Sequence, residues 1–362
     1  MENSLTALSA PLLAWYRASA RALPWRQTQD PYRIWVSEIM LQQTRVAAVL
    51  GYYARFLAAF PSVEALAAAP EDALMKQWEG LGYYSRARNL QAAAKRIVAA
   101  GGVFPGDYEG LLALPGIGDY TAGAIASAAF GLRVPAVDGN VLRVMTRLTD
   151  CHDNIGDPAA KRAIRAAVAA ILPEQPADLR QFNQALMELG AVICGPGGPP
   201  KCEICPVKAL CLGHARKTAE NLPVKTAKKT RKMQEKTIFL LENGGKIALR
   251  KRSDSGLLAS LWEFPNVEGA LDEENAPAAV AAWGLDAKCW RKKLTAKHIF
   301  THVEWHMTGY SLEVSGAGPA DFLWVDAAGL SRCAVPSAFA KYYAEAQTLL
   351  AAETAPAQGE TT

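Results

Sequence analysis

Apolar positions along residues 1 to about 190 recur at helical spacing, and no convincing strand-like alternation interrupts them. The runs 34–60, 71–100, 111–130 and 157–172 are rich in Ala, Leu and Arg, with Pro and Gly between them. This predicts a mainly α first domain. Near residue 236 the period changes. Thr237–Leu241 and Lys246–Arg250 flank Asn243-Gly244-Gly245, a hairpin signal. Residues 300–310 and 322–325 read as further strands, and 336–352 as a closing helix. Between the two patterns, residues 214–236 carry eight Lys or Arg against two acids, Glu220 and Glu235. The expected plan is a helical domain over 1–213, a basic interdomain linker over 214–235, an α+β domain over 236–350 and a disordered tail over 351–362.

With half its residues apolar and 20% charged, the chain is globular. Its net charge of +4 permits a polyanionic partner without requiring one. No run approaches the roughly 18 uncharged apolar residues of a membrane span, and Met1-Glu2-Asn3-Ser4 has no basic start of a secretory leader. A soluble, intracellular (cytoplasmic) monomer is expected. Seven cysteines fit that setting, because four crowd together as Cys194-x7-Cys202-x2-Cys205-x5-Cys211. Four thiols within so short a stretch read as metal ligands. The spacing alone leaves zinc and iron–sulfur open, although a zinc ribbon usually has two Cys-x2-Cys knuckles and this segment has one.

Three further features have both a plain and a chemical reading. Leu114-Pro115-Gly116-Ile117-Gly118 sits between two helical runs. Its glycines make either a simple connector or a turn whose backbone N–H groups, with the next helix start, grip a phosphate. Glu38 shares a helical face with Ser37, Gln42 and Arg45, which periodicity reads as solvated. Asp138, in Val137-Asp138-Gly139-Asn140, is well placed to cap a helix over 139–149.

Taken in order, these pieces resemble the endonuclease III superfamily of helix-hairpin-helix DNA glycosylases. Leu23-Pro24-Trp25-Arg26, Trp35-Val36-Ser37-Glu38-Ile39-Met40-Leu41-Gln42-Gln43-Thr44 and Gly80-Leu81-Gly82-Tyr83-Tyr84-Ser85-Arg86-Ala87-Arg88 are similar to signatures of its adenine-specific family. The resemblance is strong over residues 10–215 and looser beyond. It implies a helix-hairpin-helix over 111–130, a 4Fe-4S cluster held by Cys194, Cys202, Cys205 and Cys211 in the loop 194–211, and a Nudix-like second domain.

The implied activity is hydrolysis of the N-glycosidic bond of adenine opposite 8-oxoguanine or guanine in double-stranded DNA. Such chemistry needs an acid for the leaving base and a carboxylate for the cationic sugar. By resemblance Glu38 is the acid, Asp138 the carboxylate and Asn140 its support. Tyr120 stands where lyase-type relatives carry a Schiff-base lysine, which implies a monofunctional enzyme. Arg26, Gln43, Thr44, Leu81 and Tyr83 would contact the opened duplex, and Gly116 and Gly118 its phosphate. Leu257–Pro265 looks Nudix-like, but no magnesium-binding Gly-x5-Glu-x7-Arg-Glu helix follows, so this domain is expected to read rather than hydrolyse. Phe300-Thr301-His302 matches the family loop that recognises 8-oxoguanine; the plain reading is a hairpin carrying His298, His302 and His306.

The chain departs from the family in its seven-residue first cysteine gap, where six is expected, in Asp119 beside the phosphate turn, and in Thr301 where serine is common. Rival functions are a pyrimidine-lesion glycosylase/lyase, a non-catalytic iron–sulfur DNA-binding protein and a nucleotide-pyrophosphate hydrolase. Tyr120, the Glu38–Asp138 pair and the missing motif stand against them in turn.

Overall fold

Short connections rich in Pro, Gly and Asp divide the first part of the chain into helices. A computed structural model describes residues 5–226 and 230–354. The helices are α1 (Ser9–Ser19), α2 (Pro31–Leu41), α3 (Val46–Ala59), α4 (Val63–Ala68), α5 (Glu71–Trp78), α6 (Ser85–Ala99), α7 (Tyr108–Leu112), α8 (Asp119–Phe130), α9 (Gly139–Thr149), α10 (Pro158–Ala170), α11 (Pro176–Val192) and the single turn α12 (Leu212–Ala215). Pro opens α2, α10 and α11, where its missing N–H has no helical partner to lose.

The run 34–60 is not one helix. α2 stops at Leu41 and α3 starts at Val46, with Gln43 between them at φ 57°. Gln42 and Arg45 therefore do not continue the face of Glu38. That face is also not solvated: Ser37 and Glu38 are both buried. The amphipathic α9 and α11 pack with α1 around a core built on Leu12, Val141, Met145, Phe182 and Leu186.

The second part is β1 (Lys232–Asn243), β2 (Lys246–Lys251), β3 (Trp262–Glu263), β4 (Asn266–Glu268), α13 (Ala276–Ala282), β5 (Asp286–Ile299), β6 (Val303–Ser315), β7 (Phe322–Val325), α14 (Ala327–Arg332) and α15 (Ala340–Thr354). One sheet runs β3-β2-β1-β6-β5, with β4 beside β1 and β7 beside β2. β1 and β6 are parallel from Lys232↔Val303 to Glu242↔Glu313, and the β1–β2 hairpin is antiparallel. Its turn places Gly244 and Gly245 at positive φ, as such a tight turn requires.

β1 is buried on both faces. Ile238 and Leu240 join Trp305 and the α15 side of the core, with Phe339, Tyr342 and Leu350, while Phe239 and Leu241 meet Tyr310, Leu312 and Val280 of α13. The expected strand 300–310 begins only at Val303, because Phe300-Thr301-His302 forms the β5–β6 turn.

Two boundaries differ from expectation. Contacts divide the described residues into one unit of 5–68 with 88–226 and another of 69–87 with 230–354. Much of the expected linker is thus part of the helical unit: Leu222 is buried, its carbonyl accepts from Arg147 Nε at 3.0 Å, and the Val224 carbonyl accepts from Ile155 N at 3.1 Å. Residues 230–235 largely belong to β1, whose ladder with β6 extends it back to Lys232. Residues 351–354, assigned to the tail, continue α15, since no breaker follows until Pro356. The remainder of the tail (355–362), the start 1–4 and positions 227–229 of the linker lie outside the described residues. No helix among the described residues is long and apolar enough to cross a membrane.

Candidate functional site

Three helix ends of the first unit meet at a cavity of about 630 Å³, within the range of roughly 300–1,000 Å³ usual for small-ligand sites. Glu38 comes from the last turn of α2, Tyr120 from the first turn of α8, and Asp138 caps α9. Arg26, Gln43, Thr44, Gly118 and Asn140 also line it.

Tyr120 donates its hydroxyl proton to Glu38 Oε2 at 2.5 Å. Burial pushes the Glu38 carboxyl up to about 7; Tyr120 and Arg26 pull it down, and the charge of Asp138 adds to the rise. A carboxyl so placed exchanges a proton near neutrality. Asp138 does what a cap does: its Oδ1 accepts from Asn140 N at 2.9 Å and Val141 N at 2.8 Å, and its Oδ2 from Asn140 Nδ2 at 2.6 Å. Burial raises its pKa, and these three N–H donors oppose the rise. The capping and chemical readings of Asp138 are therefore compatible. The positive end of α9 favours a carboxylate there.

Asn140 is held in turn. Its Oδ1 accepts from Arg143 Nη2 at 2.9 Å, and the same nitrogen donates to Gly190 O at 2.6 Å. Gly190 has no room for a side chain, since a Cβ there would sit 2.7 Å from Asn140 Cβ.

Sequence reasoning misses Glu188 and Arg21 on the cavity wall. Glu188 is buried on α11, where it accepts from Arg21 Nε and Nη2 at 2.7 and 2.6 Å and from Arg26 Nη2 at 2.7 Å. Burial works to raise its pKa, but the two guanidinium groups outweigh it and hold the carboxyl at about 2. The signal in the sequence is an acid inside the apolar helix 176–192, and it names no partner.

The Gly116–Gly118 turn leads into α8, with Gly116 at φ 75° and its Cα face against Asn89. Asp119 beside it accepts from the Tyr108 hydroxyl at 2.7 Å, which itself accepts from Arg165 Nη2 at 2.9 Å. These bonds leave Asp119 an exposed anion at the cavity rim.

Cys194, Cys202, Cys205 and Cys211 line a separate small cavity in the same unit. Arg147 Nη1 lies 3.3 Å from Cys194 Sγ and the Cys211 thiol reaches Arg147 O at 3.4 Å, so the loop is tied to α9. Among the described residues no three His, Cys, Asp or Glu side chains converge tightly enough to hold a single metal ion. Four thiols facing one cavity are a donor set of the kind that would hold a metal cluster. The first gap contains Gly195–Pro200, a stretch with Gly197 and Gly198 at positive φ.

The other predicted residues lie in the second unit. Leu81 is buried, whereas Tyr83 is exposed and left-handed at φ 46°, a strained state for a tyrosine. Thr301 and His302 are exposed at the β5–β6 turn, and Phe300 stacks edge-on between His298 and Trp305 at 4.6 and 4.8 Å. The three histidines do not gather: His306 pairs with Glu304 at 2.6 Å, and His298 meets Phe300. α13 carries no carboxylate.

Comparison with known proteins matches residues 36–170 to the HhH-GPD superfamily of base excision DNA repair proteins and residues 237–345 to the NUDIX domain. The adenine DNA glycosylase of Homo sapiens is 33% identical over 380 residues, 87% of this chain and 68% of its own length. That of Buchnera aphidicola subsp. Baizongia pistaciae is 36% identical over 302 residues, 83% of each chain. The Arabidopsis thaliana enzyme is 38% identical over 314 residues, 75% of this chain, which spans about half (49%) of that relative.

Among solved structures, a thermostable thymine-DNA glycosylase superposes with a TM-score of 0.52 at 29% identity, over 59% of this chain and 98% of its own. Endonuclease III from a non-covalent DNA complex shares the fold, with a TM-score of 0.51 at 22% identity over 60% of this chain and 98% of its own. Identity at this level across two thirds or more of two relatives, on top of a cavity with two carboxyls on converging helix ends, places the chain in the adenine DNA glycosylase family, hydrolases of N-glycosyl bonds within the HhH-GPD superfamily of base excision DNA repair.

Proposed function

We propose that this chain is a monofunctional glycosylase that hydrolyses the N-glycosidic bond of adenine placed opposite 8-oxoguanine or guanine in double-stranded DNA. The observation that carries the reading is the buried Glu38, raised to about 7 and hydrogen-bonded by Tyr120, in one cavity with the N-capping Asp138. Glu38 in its acid form gives its proton to the ring nitrogen of the flipped adenine, which makes the base a neutral leaving group. Asp138 stays ionised and faces the positive charge that develops on the sugar; Asn140, fixed by Arg143, keeps it there. Tyr120 positions Glu38, and a phenol forms no imine, so the reaction has no lysine-type covalent step.

Arg26, Gln43 and Thr44 on the cavity wall, Leu81 and Tyr83 on their turn, Gly116 and Gly118 at the phosphate grip and Phe300, Thr301 and His302 at the lesion loop are the DNA contacts of this reading. Cys194, Cys202, Cys205 and Cys211 would hold a 4Fe-4S cluster. It would close the 194–211 loop that Arg143 and Arg147 tie to α9.

The test is a set of duplexes carrying adenine opposite 8-oxoguanine, guanine and thymine, and an oxidised pyrimidine. Adenine release from the first two, with no borohydride-trapped protein–DNA adduct, is expected. Release of the pyrimidine with efficient trapping would overturn the proposal.

A further inference from the structure

The helix α5 has a polar face that periodicity assigns to water, and at its C-terminal end, at Lys76 and Glu79, that face is half-buried. Asp72, Lys76 and Glu79 recur at i, i+4 and i+7 from α5 to its C-cap. Each meets the β-rich part of its unit. Asp72 Oδ1 accepts from Lys251 Nζ at 3.0 Å, Lys76 Nζ donates to Cys333 O at 3.2 Å, and Glu79 Oε1 accepts from Val335 N at 3.0 Å. Lys76 and Glu79 also pair with each other at 2.6 Å, so their two side chains clamp one extended segment, Cys333–Val335. The Asp72–Lys251 pair is open to solvent and contributes little. The clamp is different, because a carboxylate there holds a backbone N–H in a half-buried place.

Immediately after the clamp comes the turn that carries Leu81 and Tyr83. Gly80 at φ 93°, Gly82 at φ 70° and Tyr83 at φ 46° fold it tightly. Trp78 Nε1 donates to Gly82 O, and Arg86 Nη2 to both Leu81 O and Gly82 O, each at 3.1 Å. The turn is thus stiff, and at its far end the Tyr83 hydroxyl bonds Thr301 Oγ1 at 2.8 Å. Glu79 fastens one end of the turn and Thr301 the other, both to the unit that holds the lesion loop.

We propose that Glu79 is a positioning residue for mispair discrimination: by locking the 80–83 turn onto the 333–335 segment, it makes that turn and the 300–302 loop reach the duplex as one rigid piece. Reading the base opposite adenine and probing the stack then become a single event. Bond cleavage, which belongs to the Glu38 cavity of the other unit, does not need the clamp. The assignment rests on the glycosylase activity proposed for that cavity.

The experiment uses the full chain with its metal content as purified and measures single-turnover adenine release opposite 8-oxoguanine and opposite guanine. Glu79→Ala is expected to lower the ratio of the two rates about tenfold, the scale of one lost charge-assisted hydrogen bond. Glu79→Gln, whose amide oxygen still accepts from Val335, keeps most of the ratio. Glu79→Ala with Thr301→Ala falls no further than the larger single effect, because both sever the same piece. If Glu79→Ala does not fold, Lys76→Met removes the other jaw and carries the same expectation. An unchanged ratio, equal losses on both duplexes or fully additive effects would each overturn the proposal. A wild-type chain that releases adenine from neither duplex would instead sink the glycosylase reading, and this inference with it.

Discussion

Glu38 shows how far a side chain's surroundings can move its chemistry. In water its carboxyl would be ionised at neutral pH; here burial, helped by Asp138, outweighs Tyr120 and Arg26 and lifts it to about 7. A folded-state pKa above the unfolded one stabilises the fold at low pH, fully below about 4.5, and that contribution disappears as pH rises through about 7. At about 1.4 kcal/mol per unit, the wild type should lose on the order of 3 kcal/mol across that window, while Glu38→Gln, which cannot ionise, should not. Chemical denaturation of both proteins from pH 4.5 to 8 measures the difference, and parallel curves would remove Glu38 as a buried acid. The same variant should bind duplex normally and release adenine at least a hundredfold more slowly, since general acid catalysis is typically worth about 10²–10⁴. Wild-type release should decline above pH 7 as the acid form empties.

At the scale of elements, the site depends on how closely two helices approach. α11 meets the start of α9 through Gly190, where a Cβ would lie 3.0 Å from Asn140 O. Gly190→Val should push Asn140 and Asp138 off the cavity, cost about 1–3 kcal/mol of stability from overpacking, and reduce adenine release more than DNA affinity. A variant with lower Tm but wild-type kinetics would show that this approach does not set the site. The α7–turn–α8 hairpin was legible in the sequence because Pro115, Gly116 and Gly118 punctuate it. The break between α2 and α3 was not: Gln42-Gln43-Thr44-Arg45 contains no Gly or Pro, yet Gln43 is left-handed inside a turn in which Thr44 N donates to Leu41 O at 3.3 Å. β5 was missed for another reason. It is an edge strand exposed at most positions and crowded with Lys and Arg, so it lacks the alternation that betrays a half-buried strand. Its charges are balanced by Glu273, Glu304, Glu313 and Glu345.

For the whole molecule, adenine is an ordinary base, and selectivity has to come from the opposite strand. Under the proposed reading that task falls to the β5–β6 turn. Thr301→Ala with His302→Ala should lower the preference for 8-oxoguanine over guanine opposite adenine, with each lost contact worth about 1–3 kcal/mol, and should slow A·G cleavage less. A double variant that keeps the wild-type ratio would take the reading role away from this turn. The division into a helical and a β-rich part was legible from the change of period near residue 236. That residues 69–87 belong with the latter was not, because the polar face of α5 looks the same whether it meets water or protein.

That borrowed helix also has a kinetic consequence. The contacts that seat it join residues 179, 256 and 257 positions apart in the chain. Loop closure over such separations is slow compared with local helix formation. As the chain leaves the ribosome, α5 exists long before Cys333–Val335 does. Its charged stripe keeps that waiting surface wettable, where an apolar one would invite aggregation. The seat cannot close before residues 333–335 have been made, so the turn bearing Leu81 and Tyr83 gains this anchor only well after its own helix has formed.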